Sequence, residues 1–135
     1  MILTDTHVFL WIAEGRQVGD EAQVAVDRAY AADSLFASSV SAWEFGVLTA
    51  KGRLTLSRPL DEWWNEAIER CGFKALKLDT AIAIASTRLP GSFHADPADR
   101  FLIATARHFD MPLVTADKAI LAYAKAGHVK TIRAR

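Results

Sequence analysis

The sequence predicts a layered α/β domain with parallel strands, and two features of the chain indicate this class. Short apolar segments typical of buried strands alternate with longer amphipathic segments typical of helices. In such an alternation each helix returns the chain to the same end of the sheet, so neighbouring strands run parallel. The chain is long enough for one domain with a sizeable core, and no linker or repeat divides residues 1–135.

Five short segments are predicted as strands because each is apolar or β-branched and is bounded by turn-forming or helix-capping residues. In chain order they cover residues 2–4, 35–38, 73–78, 112–115 and 129–132. Asp5 directly follows the first strand and Asp117 closely follows the fourth, and either aspartate can begin the next helix.

Seven segments are predicted as helices from their apolar spacing and their cap residues. In chain order they cover residues 6–14, a segment that starts at 19–21 and includes Ala32, and residues 41–52, 60–71, 79–89, 96–109 and 117–126. The clearest is 60–71, where apolar side chains recur at i, i+3, i+4, i+7, i+8 and i+11 on one helix face. Glycines end four of the helices: Gly15, Gly52, Gly72 and Gly127.

Four acidic residues each follow a short run of apolar or small residues and lie at or near the start of a predicted helix: Asp5, Glu44, Asp99 and Asp117. Ligands of open α/β sheets bind outside the carboxyl ends of the strands, so these carboxylates are expected to converge there. Two carboxylates about 5 Å apart repel by roughly 3 kcal/mol at an effective dielectric near 20. Mg²⁺ and Mn²⁺ prefer oxygen ligands and would remove that repulsion. The pattern therefore predicts a metal site suited to phosphate chemistry.

Helix capping is the structural alternative for each of these acids. Ser41 and Glu44 have the spacing of a capping box, and Asp96 followed by Pro97 has the pattern of an N-cap. The remaining acids can cap, or lie in the first turn of, their own helices. For any single acid capping is the simpler interpretation. The whole set favours metal binding, because Ser, Thr and Asn would cap equally well.

Four segments of the chain resemble a known family. They read LTDTH at 3–7, SAWEF at 41–45, HADPADR at 94–100 and LVTAD at 113–117. With these segments the chain is similar over essentially its whole length to PIN-domain ribonucleases, specifically VapC-type toxins of bacterial toxin–antitoxin pairs. The resemblance implies a five-stranded parallel sheet flanked by helices in three α/β/α layers. It also implies Mg²⁺- or Mn²⁺-dependent cleavage of RNA, inhibition by a cognate antitoxin, and a homodimer.

The resemblance also implies roles for individual acids. Asp5, Glu44, Asp99 and Asp117 match the four acidic residues of the family, and none is substituted here. Asp5 and Asp99 would hold the main metal ion. Glu44 and Asp117 would complete the site, bind a second ion or orient the attacking water. Asp96 is a further acid that recurs in one branch of the family, and we expect it to cap its helix.

Other polar residues near these acids have two interpretations each. Thr6 and Thr115 offer hydroxyls beside the site, as partners of the acids or of water, or alternatively as helix caps. Arg100 could contact a substrate phosphate, or form an ordinary surface ion pair. His94 could act as a general base, although a single loop histidine without a metal-ligand partner is more often structural. Asp96 could touch the metal as well as cap its helix.

Composition narrows the expected environment and partners. Sixteen basic and sixteen acidic residues balance to zero net charge, which argues against nucleic-acid binding through bulk charge. The single cysteine, Cys71, forms no disulfide within the chain and is expected as a small core residue in a reducing cytosol. No signal peptide and no membrane-length apolar run is seen, so a cytoplasmic protein without membrane contact is expected.

Four tryptophans are many for a chain of this length. Trp43 is expected in the core. At least one of Trp11, Trp63 and Trp64 is expected to be partly exposed in the isolated chain, as part of a groove for an antitoxin helix or a dimer partner.

Two alternative functions remain open from the sequence. A haloacid-dehalogenase-like phosphatase would use Asp5 as its nucleophile, but it needs a second acid two residues later, where this chain has His7. The other alternative is a PIN-like binding module without catalysis, in which the acidic cluster is structural or holds an ion.

Overall fold

Five strands and seven helices alternate along residues 1–93 and 96–135, which are the residues that the computed structural model describes. The strands are β1 (Ile2–Thr4), β2 (Leu35–Ser38), β3 (Lys74–Leu76), β4 (Leu113–Thr115) and β5 (Thr131–Arg133). The helices are α1 (Thr6–Ala13), α2 (Asp20–Ala31), α3 (Ser39–Ala50), α4 (Leu60–Cys71), α5 (Thr80–Ser86), α6 (Pro97–His108) and α7 (Lys118–Lys125). Within the described ranges, none of the helices has the length and hydrophobicity that a bilayer span requires.

The strands form one parallel sheet in the order β3-β2-β1-β4-β5. At its centre, Ile2 of β1 pairs with Leu35 of β2, and Leu3 of β1 pairs with Leu113 of β4. From β1 the chain builds the sheet toward β3, and after α6 it builds toward β5 on the other side. This reversal makes the carboxyl ends of β1 and β4 the place where an open α/β sheet has its crevice.

Helices cover both faces of the sheet. Ile2 and Val114 point to one face, where they pack with α1, α2 and α4. Leu3 and Leu113, their neighbours in sequence, point to the other face and pack with α6 and α7. The predicted three-layer α/β/α architecture with a five-stranded parallel sheet is therefore confirmed.

Phe9 of α1 is fully buried in a group of aromatic rings. Its partners, at centroid distances from 4.7 to 6.1 Å, are Phe45, Trp63, Trp64 and Phe73. They come from α3, α4 and the residue before β3. Burial of aromatic rings contributes strongly to the stability of a core, so this group holds α1 against α3 and α4.

The third helix, α3, begins two residues earlier than the sequence predicts. Its N-cap is Ser38, whose hydroxyl accepts a hydrogen bond from the amide of Val40 at 3.0 Å. Ser41 and Glu44 therefore lie inside the helix, and the predicted capping box between them is wrong. Ser38, Ser39 and Ser41 all suit an N-cap by residue type. Only the point at which β2 ends decides which serine takes that role.

The other predicted elements are present, with shifts at their ends. β3 covers residues 74–76 instead of 73–78, and β5 covers 131–133 instead of 129–132. α5 ends at Ser86, about one turn earlier than expected. The strand limits follow from pairing, since three residues of β3 pair with β2 and three of β5 pair with β4.

The tryptophans divide differently from the prediction. Trp11, Trp63 and Trp64 are all partly buried at the edge of the core, so the expected partial exposure is confirmed. Trp43 is 59% exposed, and its predicted core position is wrong. Phe45 takes the core-facing position of α3, and a residue two places earlier in a helix lies roughly 200° around the axis. Trp43 therefore faces away from the core.

A candidate metal centre

Five carboxylates line one cavity of about 290 Å³ at the carboxyl edge of the sheet. They belong to Asp5, Glu44, Asp96, Asp99 and Asp117. Asp5 follows β1 and Asp117 follows β4, on either side of the point where the strand order reverses. The structure thus brings together the four predicted acids and Asp96, although they are up to 112 positions apart in the chain.

Three of these acids cap helices and still line the cavity. Asp5 accepts a hydrogen bond from the amide of Val8 at 2.8 Å, which caps α1. Asp117 accepts one from Ile120 at 3.0 Å, which caps α7. Asp96 caps α6 in the same way, as expected. Capping and a place in the site are therefore compatible, because a carboxylate has about four lone-pair sites and the cap bond uses one of them.

Thr115 connects two of the acids. The amide of Asp117 donates to the Thr115 hydroxyl oxygen at 3.0 Å, and the Thr115 hydroxyl donates to Oδ2 of Asp5. Since Val8 donates to Oδ1, both oxygens of the buried Asp5 carboxylate have a donor. Such bonds favour the ionised form of a carboxylate in a buried place.

Thr6 holds Glu44 in a corresponding way. The Thr6 hydroxyl donates to Oε1 of Glu44, and its oxygen lies 2.9 Å from Oγ of Ser41. Because Thr6 has one hydroxyl hydrogen and Glu44 receives it, Ser41 is the donor to Thr6. This role of Ser41 was not predicted from the sequence. It could have been predicted because Ser41 is three residues before Glu44, a spacing that places both side chains on one face of α3.

Burial and mutual repulsion shift the pKa values of these acids. Burial raises the pKa of Asp5, against the effect of its bonds from Thr115 and Val8. Burial also raises the pKa of Glu44, against its bond from Thr6. At Asp99, burial and the four neighbouring carboxylates together raise the pKa to about 7. At neutral pH, ionisation of all five acids is therefore unfavourable, and a bound cation would offset their negative charge.

The donor set fits a hard divalent cation. The acids provide oxygen ligands alone, which is the preference of Mg²⁺ and Mn²⁺. As the side chains stand, no three His, Cys, Asp or Glu residues in the described ranges are arranged to enclose an ion.

One other predicted site residue lies elsewhere. Arg100 is not part of the cavity lining, and its guanidinium donates to the carbonyls of Ser86 at 3.0 Å and Phe93 at 3.3 Å. Its contact with a phosphate stays a prediction. His94 lies outside the described residues. In addition, His7 and Trp11 line the cavity. Their place in the cavity could have been predicted from the sequence, because they lie one turn apart on the helix that Asp5 caps.

The fold and the carboxylate cluster define an α/β domain with a candidate metal site at the switch point of its sheet. The family model described as PIN domain matches residues 2–126. The chain therefore belongs to the PIN-domain family. It is 31% identical to Ribonuclease VapC22 of Mycobacterium tuberculosis (strain ATCC 25618 / H37Rv). The match extends over 120 residues, and these make up 88% of each of the two chains. The resemblance to VapC-type PIN domains is confirmed by these matches.

Solved structures of other proteins have the same fold as this chain. VapBC2 from Rickettsia felis bound to a promoter DNA fragment superposes with a TM-score of 0.69 at 12% identity, over 100% of both chains. FitAcB from Neisseria gonorrhoeae superposes with a TM-score of 0.60 at 21% identity, over 97% of this chain and 96% of the other. At these identities the likeness shows a shared fold.

Replacement of Thr115 by Val should lower the free energy of unfolding by about 1 to 3 kcal/mol, because buried Asp5 loses a hydrogen bond. The loss should be larger at pH 9 than at pH 4, since the hydroxyl favours ionised Asp5. Urea titrations of the metal-free protein at both pH values measure this. Thr105→Val is the control, because it removes a buried hydroxyl that bonds within α6. Equal losses at both pH values for Thr115→Val would contradict the assigned bond.

Asp99 should make the metal-free protein less stable as pH rises. Its pKa is about 7 in the folded chain against a usual 3.8, so the folded state holds the proton more tightly. This contribution to stability is complete below about pH 4 and is lost as pH rises through about 7. Asp99→Asn should therefore raise the free energy of unfolding at pH 8 by on the order of 1 to 2 kcal/mol, allowing for solvent screening at this partly exposed group.

Denaturation curves at pH 4 and pH 8 test this effect of Asp99, which should be small at the lower pH. Asp27→Asn changes an exposed acid on α2 and should show no such difference between the two pH values. A variant Asp99→Asn that is no more stable than the parent at pH 8 would show that repulsion in the cavity is weak.

Proposed function

We propose that this protein is a metal-dependent endoribonuclease that cleaves RNA phosphodiester bonds and is the toxin of a toxin–antitoxin pair. The observation that carries the proposal is the shared cavity of Asp5, Glu44, Asp99 and Asp117 in a PIN-domain chain. The relative with 31% identity over 88% of the chain is named a ribonuclease, which supports the same activity here. The cofactor we propose is Mg²⁺ or Mn²⁺.

The metal ligands follow from the positions of the acids. Asp5 and Asp99 would hold the main ion, since Asp5 directly follows β1, Asp99 lies in the first turn of α6, and both line the cavity. Glu44 and Asp117 would complete its surroundings or hold a second ion. Asp96 contributes charge while it caps α6. At the pKa of about 7 for Asp99, binding of the cation would release a proton from this group near neutral pH.

The proposed reaction is hydrolysis by in-line attack of water on a phosphodiester. When bound, a divalent cation supplies positive charge for the phosphate and makes a water molecule more acidic. Asp5 is fixed through both oxygens, so it needs little rearrangement as charge develops. Glu44, oriented by Thr6, would accept a hydrogen bond from the attacking water. The leaving oxygen departs opposite the water, and no covalent intermediate is needed.

We propose that an antitoxin and a second copy of the chain bind to two apolar areas of the surface. Structural neighbours include a toxin–antitoxin complex from Klebsiella pneumoniae, which supports an antitoxin partner here. The partly buried Trp11, Trp63 and Trp64 offer apolar area for a segment of a cognate antitoxin. For the proposed homodimer, a second apolar groove of about 420 Å³ lies beside the exposed Trp43.

The cytoplasm, where RNA and a reducing environment are found, is the proposed location.

Replacement of Asp5 or Asp99 by Asn should reduce RNA cleavage at least about 100-fold, because the site loses a charged metal ligand. Cleavage of a labelled RNA by purified protein with Mn²⁺, and with excess EDTA, measures this. Asp79→Asn is a matched control, since Asp79 caps α5 through a 2.8 Å bond from Ile82 and lies outside the cavity lining. The control should keep full activity.

Unchanged cleavage in Asp5→Asn, in Asp99→Asn or in EDTA would refute the assignment. Binding of Mn²⁺ and RNA without any cleavage by the unmodified chain would instead favour a non-catalytic PIN-like module. Trapping of a phosphorylated Asp5 would favour the phosphatase alternative, to which the family match gives no support.

The toxin assignment has its own test in living cells. Expression of the chain should stop bacterial growth, and coexpression with its proposed antitoxin should restore growth and give a copurifying complex. Asp99→Asn should allow growth, because it lacks cleavage but keeps the fold. Growth arrest by Asp99→Asn, or no effect of the parent chain, would contradict a toxin that acts through RNA cleavage.

A further inference from the structure

We propose that His7 and Trp11 form a stacking slot for one unpaired base of the RNA substrate, beside the phosphodiester that is cleaved. The proposal rests on the proposed ribonuclease function. It adds which part of the RNA the cavity recognises and which two side chains do so.

The two rings are placed for this role by α1. Both lie on the helix that Asp5 caps, both line the carboxylate cavity, and their ring centroids are 6.5 Å apart with planes tilted by 50°. A base between two parallel rings needs about 7 Å, which is twice the spacing of stacked bases along one strand. His7 is exposed, so rotation of its imidazole can bring the two planes toward parallel.

Trp11 is held in place before any ligand arrives. The guanidinium of Arg135 lies over the indole, 3.7 Å from its ring centroid. Arg135 is itself fixed, because its backbone amide donates to the carbonyl of Val18 at 2.7 Å and its Nε donates to that of Gln17 at 3.0 Å. Part of the indole also packs on the core. A base that stacks on a fixed ring loses less binding energy to ordering.

Charge alone does not explain RNA binding at this cavity. The chain has zero net charge, and five carboxylates line the place where the phosphate must lie. Stacking on aromatic rings contributes affinity that is independent of phosphate charge and is available to every base. A base must leave its own stack to enter between the rings, so the slot selects single-stranded or looped RNA over a duplex.

Binding measurements without cleavage test the slot. The Asp99→Asn protein is mixed with fluorescein-labelled single-stranded RNAs of 12 nucleotides and random sequence, and with a ribose–phosphate chain of equal length without bases. Fluorescence anisotropy gives Kd. Adding Trp11→Leu should weaken binding of RNA roughly 10- to 100-fold, the range found for loss of base stacking, and leave binding of the abasic chain unchanged. Trp11→Phe should lose less, because it keeps a ring.

Two further variants make the result specific. Tyr30→Leu removes an exposed aromatic ring on α2 and should not alter Kd. His7→Ala should weaken binding of RNA but not of the abasic chain, and His7→Phe should recover binding, since stacking needs a ring and not an imidazole. An unlabelled duplex of the same length should compete at least about tenfold more weakly than the single strand.

Each outcome decides the matter. Equal weakening for RNA and the abasic chain by Trp11→Leu would mean that Trp11 only supports the fold, and would overturn the slot. The same holds if His7→Phe binds as poorly as His7→Ala. If the parent protein cleaves RNA and Trp11→Leu binds it normally, only the slot fails. If the parent protein neither binds nor cleaves RNA, the proposed function fails and the slot with it.

Discussion

The repulsion among five carboxylates in one cavity is the constraint on which the rest of this structure depends. Without compensation it works against folding, and together with burial it raises the pKa of Asp99 to about 7. The protein offsets part of it with hydrogen bonds from backbone amides at helix starts and from the hydroxyls of Thr6 and Thr115. The negative charge that these donors leave uncompensated is suited to a divalent cation. The same repulsion that lowers the stability of the fold therefore favours binding of such an ion.

Helix capping and site formation are one arrangement in this domain. Asp5, Asp96 and Asp117 each begin a helix and each line the cavity. Because parallel strands end at one edge and the helices that follow them begin there, the caps of α1 and α7 gather at the same edge, and the start of α6 brings Asp96 to the same cavity. The order of the strands then selects the crevice between β1 and β4 as the meeting point. Site geometry is therefore a direct product of secondary structure and topology.

One helix, α1, connects the core with the site. Phe9 anchors it in the aromatic core, Asp5 caps it at the cavity, and Thr6 reaches across to Glu44 on α3. His7 and Trp11 lie on the side that lines the cavity. Because these contacts come from successive turns of a single rigid element, packing on the core sets the positions of the groups that would meet RNA.

Local pattern in the sequence determined the class of fold, the alternation of elements and the acids that converge, since apolar spacing and cap residues act over short distances. Tertiary structure decided the rest. Ser38 took the cap of α3 because β2 ends there, which turned Ser41 from a cap into the donor that orients Thr6. Trp43 is exposed because Phe45 fills the core position. Such outcomes depend on contacts between residues far apart in the chain, and neither residue type nor spacing specifies those contacts.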